Sequence, residues 1–502
     1  MPLTIEKHPW IVVGALMIFA CALSLLLFAH QSLRLDEAQS LWQSSRSPVD
    51  ILTIVGQDVH VPLYHELLHF WRLYAGDSVA WARGFSLLWF VLSIPALYLL
   101  GQYAYNRSAG LLAATLLAVS PFMNWYGAEV RMYTLFMFLA IINQYAFLRL
   151  WKGGTQTRDG TEHAWAVYML TAILGVFTHY FFFLILLSQA VLYLLRQTLF
   201  PRGSLKKFIV AAGVIAAILV PWLLWVALQG QIFNQAPALP RPTTVDLFNA
   251  LSQFVFGFQD DHLNTVILSL WPLSLMFGFF ALRHSERMSP QTEYLLLSVV
   301  LPIIAVFLIS LALPLFVSRY LIFTVPSVYL LITSLVSTYP ERAGKWARAG
   351  LVGAMAVMLL IEISNPSTPV KEDYRAAALY LNENSNSQDI IALSAPFTIY
   401  PIEYYYRGPS ALSTLPLWDS YAHGPIPAFS ASSLPTQVSQ TTQGHQNVWL
   451  LLSYDQGYET QIKDYFDSHY QKLASVNFSP GLDLYEYQVR YDTPLGRDTA
   501  LK

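Results

Sequence analysis

Two carboxylates stand side by side in Leu33-Arg34-Leu35-Asp36-Glu37-Ala38, directly after an apolar run. A carboxylate so placed could take a proton from a hydroxyl or hold a cation. The same pair could equally open a helix through Ala38 to Trp42, with Asp36 as its cap and Glu37 in its first turn. A second group lies in Asp58-Val59-His60-Val61-Pro62-Leu63-Tyr64-His65-Glu66, where Pro62 can start a helix that sets His65 one turn from His69. An i, i+4 histidine pair can bind a metal, or it can be a solvated helix face; no Glu lies between the two as in zinc proteases. A third group is Tyr126-Gly127-Ala128-Glu129-Val130-Arg131-Met132-Tyr133, in which Glu129 and Arg131 can pair with each other or with lipid headgroups. Arg319, followed by Tyr320, is the only charge in the 46 residues from Tyr294 to Tyr339. Such an arginine needs an anion, and phosphate suits a guanidinium because it accepts two parallel hydrogen bonds; snorkelling to headgroups is the bland alternative. His179 can be a ligand, an acceptor contact or a polar turn residue.

The elements that must carry these residues are apolar. Of 502 residues 55% are hydrophobic and 12% charged, against about 25% charged in an ordinary soluble domain. Runs without Asp, Glu, Lys or Arg are long enough to cross a hydrocarbon layer of roughly 30 Å. They predict spans near Trp10–Ala29, Gly84–Leu100, Ser108–Met123, Met132–Leu148, Phe208–Leu228, Leu263–Leu282, Tyr294–Pro314 and Tyr320–Tyr339, with a weaker one at Ala349–Ile361. The 32 uncharged residues from Ala164 to Leu195 are too many for one upright helix, so two helices meeting at Thr178, His179 and Tyr180 are expected. The total is about eleven spans. With a cytoplasmic N-terminus, fourteen Lys and Arg of the short loops fall inside and seven outside, as the positive-inside rule requires. That orientation puts the loop 30–83 and the tail on the outer face.

The tail changes composition. Residues 364–502 hold fourteen Asp and Glu against eight Lys and Arg, and their apolar runs shrink to strand length. The expected division is a membrane domain over 1–363 and an aqueous α/β domain over 364–502. In the latter, helices are expected at Glu372–Asn384 and Gly457–Tyr470, and strands at Ile390–Ser394, Val448–Ser453, Leu473–Phe478 and Leu482–Val489. Gly408–Gln443 reads as a long loop. Net charge is −2 with no basic run, which argues against nucleic acid as a partner. The one cysteine, Cys21, excludes a disulfide within the chain.

Taken in order, the motifs resemble a known family. The Asp-Glu pair after the first span, His-x-Pro-Leu-Tyr in the same outer loop, Tyr-Gly-x-Glu-x-Arg-Met-Tyr between spans three and four, His-Tyr between spans five and six, Ser-Arg-Tyr-Leu entering a late span, and Lys-x-Asp-Tyr-Arg-Ala-Ala-Ala opening the tail are similar to those of GT-C glycosyltransferases. More narrowly, they are similar to those of the bacterial branch related to protein O-mannosyltransferases, the aminoarabinose transferase of lipid A and the RgtA/B/C/D-like enzymes. The resemblance implies an all-α polytopic membrane domain with a C-terminal soluble α/β domain, in a bacterial inner membrane. It further implies an inverting transferase that moves a sugar from a polyprenyl-phosphate carrier to a lipid, glycan or protein acceptor at the outer face. By the same resemblance Asp36 is the general base, assisted by Glu37 and Glu129, while Arg319, Arg131, His60 and Tyr320 face the donor phosphate. His179, Asp58 and His65 are candidates for acceptor contact or for a divalent metal, the one cofactor the resemblance leaves open. One departure stands out: the aminoarabinose branch has a lysine with an acid directly before it where this chain has His60 after Val59, the acid being Asp58. Two rival classes fit the composition, a transporter or flippase of lipid-linked sugars and an assembly subunit whose tail binds a partner. Transporters place polar groups near the midplane on interrupted helices, often in two similar halves, whereas here the acids sit at one face and no half repeats the other.

Overall fold

The computed structural model describes residues 8–28, 31–58, 60–151, 158–228, 240–270, 288–365, 372–419 and 426–489. The chain forms two compact units, one of Met1–His30 with Gln43–Pro369, the other of Gln31–Trp42 with Val370–Lys502.

The first unit is helical. Six of its described elements are long and apolar enough to cross a membrane: Pro9–Leu26, Val79–Ala104, Ser204–Leu228, Pro290–Ser310, Ser318–Val336 and Glu341–Ser364. The chain is a multi-pass membrane protein. The expected span over Ser108–Met123 is broken, because Arg107–Val119 and Pro121–Gly127 meet at 62°. The cause is local: Ser120 caps the second helix by accepting from the Met123 N–H, and Pro121 has no N–H to continue the first. Tyr133–Arg149 follows, then Arg158–Val176 and Phe182–Leu195, with the turn between them at the expected Thr178-His179-Tyr180. The expected span Leu263–Leu282 begins as a helix, Asp261–Ser269, and its remainder lies outside the described residues.

Val79–Ala104 packs on both Arg107–Val119 and Tyr133–Arg149. The first contact is close because two glycines face each other: a Cβ on Gly101 would stand 2.8 Å from the Gly110 Cα. Buried amides tie further helices together. Gln189 donates to Asn143 at 2.8 Å and to the Tyr294 hydroxyl at 3.1 Å, and Asn143 donates to the Tyr168 carbonyl and the Thr171 hydroxyl. Between helices in lipid, such bonds and small-residue contacts replace a hydrophobic driving force that lipid does not supply.

The second unit contains a five-stranded sheet: β1 (Ile390–Ser394), β2 (Ala411–Thr414), β3 (Asn447–Ser453), β4 (Gln471–Ser479) and β5 (Leu482–Gln488), in the order β2-β1-β3-β5-β4. β1 runs parallel to β2 and β3, while β5 is antiparallel to β3 and β4. Both faces are covered, Ile391, Leu393, Trp449 and Leu451 packing on one side and Ile390, Ala392, Val448 and Leu450 on the other. That explains why β1 and β3 read as unbroken apolar runs. The expected loop Gly408–Gln443 is corrected here: it holds β2 and a helix, Leu434–Thr442. A further helix, Ile399–Tyr405, was not apparent from the sequence.

Candidate functional site

In the first unit the polar residues singled out by the sequence gather at turns between helices. Glu129 and Arg131 occupy the tight turn between Pro121–Gly127 and Tyr133–Arg149, and both are buried. The turn is held by a bond from the Arg131 N–H to the Glu129 carbonyl, and Ser86 donates to the Arg131 carbonyl at 3.4 Å. From it the Arg131 guanidinium donates to His60 Nε2 at 2.7 Å. Arginine only donates, so His60 Nε2 is an acceptor in this arrangement and a neutral His60 ring carries its proton on Nδ1. Asp58 stands 3.9 Å from the same nitrogen and accepts from Gln43 at 3.2 Å. The His60 segment is anchored from the Thr178–Tyr180 turn: the Leu63 N–H donates to the Phe177 carbonyl, and Tyr180, which accepts from Trp222 at 3.2 Å, approaches the His60 carbonyl at 3.5 Å.

His65, on the helix Leu63–Ala75, stacks beside His60 with ring centres 6.2 Å apart. It is fully buried. Burial pushes its pKa down from 6.5 to about 3, and the positive charge of Arg131 acts in the same direction. His65 is therefore a neutral ring in the wall of this cluster. Its expected companion His69 is engaged elsewhere, donating from Nδ1 to the Ser44 carbonyl at 3.0 Å. Among the described residues no three His, Cys, Asp or Glu side chains are grouped to hold a metal ion.

His179 lies flat on Phe136, with centres 4.6 Å apart and planes at 4°, and its ring is 5.6 Å from that of Tyr320. The Phe181 N–H donates to its Nδ1 at 3.1 Å, so a neutral ring presents a donor at Nε2. Arg131 lies within electrostatic reach of both His65 and His179. Arg319 follows on the 3₁₀ turn Ser318–Thr324, its guanidinium carbon 5.6 Å from the Tyr320 ring centre. Asp58, His60, His65 and Arg131 are thus brought together, and His179, Tyr320 and Arg319 form a neighbouring run. Gln43, Phe136 and Trp222 were not singled out from sequence. An uncharged amide and two aromatic residues within apolar runs give no motif to find them by.

Asp36 and Glu37 fold with the second unit, on the helix Leu35–Ser44. Glu37 is buried and accepts from the Arg34 N–H at 2.9 Å, which is the returning half of a capping box. Asp36 is the partly exposed member of the pair. The segment before them is fixed within the same unit, since the buried Leu33 N–H donates to the Tyr405 hydroxyl at 2.9 Å and the Arg375 N–H donates to Ser32 Oγ at 3.1 Å.

Residues 60–225 match the family described as dolichyl-phosphate-mannose-protein mannosyltransferase. No curated protein matches the chain in sequence. Among solved structures it is similar to apo ArnT from Cupriavidus metallidurans, at a TM-score of 0.62 and 11% identity, over 96% of this chain and 98% of that one. The same ArnT bound to undecaprenyl phosphate gives 0.61 and 12%, over 95% and 98%. The apo oligosaccharyltransferase of Archaeoglobus fulgidus gives 0.55 and 14%, over 98% of this chain and 76% of that one. At these identities the likeness is one of fold. The chain thus has an ArnT-like fold over nearly its whole length, and the mannosyltransferase match falls on the segment that carries His60, Arg131 and His179.

Proposed function

We propose that this protein is an inverting glycosyltransferase that takes a sugar from a polyprenyl-phosphate carrier and passes it to an acceptor hydroxyl or amine at the outer face of a bacterial inner membrane. The observation that carries the reading is the buried Arg131–His60 pair, a cation held in place at a helix turn of a membrane protein. A guanidinium fixed there is a preset donor of parallel hydrogen bonds, and the leaving group of this reaction is a phosphate, which accepts them. One ArnT structure of this fold holds undecaprenyl phosphate, which suits the same donor class.

In the reaction the acceptor oxygen or nitrogen attacks the anomeric carbon from the side opposite the phosphate. The bond from that carbon to the phosphate oxygen breaks as the new one forms, and polyprenyl phosphate leaves. Asp36 takes the acceptor proton. Arg131, oriented by His60 and Asp58, and Arg319 beside Tyr320 stabilise negative charge as it accumulates on the phosphate. His179 offers its Nε2–H as a contact to substrate.

Mass spectrometry of polyprenyl-phosphate sugars and envelope glycans tests this in cells lacking the protein, complemented with wild type, Asp36→Asn or Arg131→Met. Wild type should restore a missing glycan and lower one sugar-carrying lipid, while each variant, inserted at normal level, should lose about a hundredfold or more in rate. Normal restoration by Arg131→Met would sink the phosphate role, and no change in any lipid-linked sugar would sink the donor class.

A further inference from the structure

The α/β unit contacts the Asp36 segment at its two ends, and those contacts come from one region of the sheet. Ile399–Tyr405 is the helix that follows β1, and it supplies Tyr405, whose hydroxyl accepts from the Leu33 N–H, and Tyr400, whose ring meets Trp42 at 5.1 Å. Tyr374–Asn384 supplies the Arg375 N–H to Ser32 Oγ, and the Tyr374 hydroxyl at its start is 2.9 Å from Ser453 Oγ, the last residue of β3. Both helices therefore meet the segment near the carboxyl ends of parallel strands, where α/β folds commonly place binding and catalytic groups. Between the pinned ends, Ala38 and Leu41 are buried and Glu37 is bonded back to Arg34, while Asp36 and Gln39 share the partly exposed face.

We infer that the α/β unit is a positioning device for the reaction: Tyr405 and Tyr400, with the Arg375 amide, hold the two ends of the Asp36 segment and so fix where the carboxylate sits. The inference rests on the reading of Asp36 as the base. Tyr405 and Tyr400 touch no substrate in it. They act through the backbone at Leu33 and the indole of Trp42, and a shift of about 1 Å in a catalytic group is enough to lower turnover by about a hundredfold.

The test uses full-length protein in lipid vesicles, with the sugar-carrying lipid that accumulates in cells lacking the protein, extracted, as donor. Tyr405→Phe keeps the ring and removes only the oxygen that receives the Leu33 N–H. It should lower kcat by about tenfold or more while the donor KM stays within about twofold. Amide hydrogen exchange should rise across residues 31–42 and stay unchanged in β1 and β3. Ser32→Ala, which removes the second anchor from the other side, should move the same readouts in the same direction. Tyr465→Phe, on the helix Glu459–His469, is the matched control and should change neither. Unchanged kcat with unchanged exchange in both variants would overturn the proposal. So would faster exchange spread through β1 and β3, which would make Tyr405 a part of the domain core and nothing more. Asp36→Asn separates the two failures: if it turns over normally the base assignment falls, and if it is inactive while Tyr405→Phe and Ser32→Ala are normal, only the positioning role falls.

Discussion

Three acidic residues that look alike in sequence have different surroundings. Glu37 has one oxygen on the Arg34 N–H, Asp58 accepts from Gln43 beside His60, and Asp36 sits on the partly exposed face of its helix. Glu37→Gln retains an acceptor for the Arg34 N–H and should keep activity within about tenfold of wild type, whereas Glu37→Ala should lose about 1 kcal/mol of stability. Turnover and thermal melting of the two variants check this, and loss of activity by Glu37→Gln as complete as that of Asp36→Asn would assign Glu37 to the chemistry. His65 makes a pH prediction. Its folded pKa of about 3 lies below the ordinary 6.5, so the unfolded chain takes up a proton on acidification that the folded one refuses. Stability from this residue is complete above pH 6.5 and is lost as pH falls towards 3, by up to about 1.4 kcal/mol per pH unit. Melting curves of wild type and His65→Leu between pH 7.5 and 5 should differ in slope, the variant falling less steeply. The cluster itself was legible only in part. Each of Asp58, His60, Arg131 and His179 stood out as a polar group in apolar surroundings, but Arg131 and His60 lie 71 positions apart and no spacing rule announces their bond.

At the level of elements, sequence and structure agree where one physical signal dominates. The turn at Thr178–Tyr180 was legible because 32 uncharged residues exceed one span, and β1 and β3 because burial on both faces leaves continuous apolar runs. The signal fails where composition is blind to geometry. β2 is a four-residue edge strand ending in Ser413 and Thr414, and Leu434–Thr442 is a helix rich in Gln, Ser and Thr; both read as loop. The break at Ser120 lies inside an apolar run, so hydropathy passes over it. Close helix approach is equally invisible to hydropathy, and it can be tested. A Cβ on Gly110 would run into the Tyr98 carbonyl and stand 2.9 Å from the Gln102 nitrogen, all backbone that cannot swing aside. Gly110→Ala should cost about 1–3 kcal/mol. Gly213→Ala, in Ser204–Leu228 where an added Cβ meets nothing within 4 Å, should be neutral or slightly stabilising. Equal melting temperatures for the two variants would mean that the Gly101–Gly110 contact is not as close as described.

For the whole molecule, the proposed chemistry fixes a direction. The reading needs the α/β unit on the outer face, and the lysines and arginines of the short loops argue for the same side. Because Cys21 is the only thiol, a Cys21→Ser background makes single-cysteine mapping clean. Thr460→Cys probes the α/β unit on its helix Glu459–His469, and Thr198→Cys probes the loop after Phe182–Leu195; both positions are exposed. In intact cells whose outer membrane has been made permeable, a membrane-impermeant maleimide should label Thr460→Cys at once and Thr198→Cys only after lysis. The reverse pattern would place the tail in the cytoplasm, with the Asp36 segment that folds with it, and there a lipid-linked donor presented at the outer leaflet would be out of reach. Labelling of both sites before lysis would mean the span count between them is wrong, since Ser204–Leu228, Pro290–Ser310, Ser318–Val336 and Glu341–Ser364, with the span expected from sequence at Leu263–Leu282, make five crossings, and two probes on one side need an even number. The expected pattern requires an odd number.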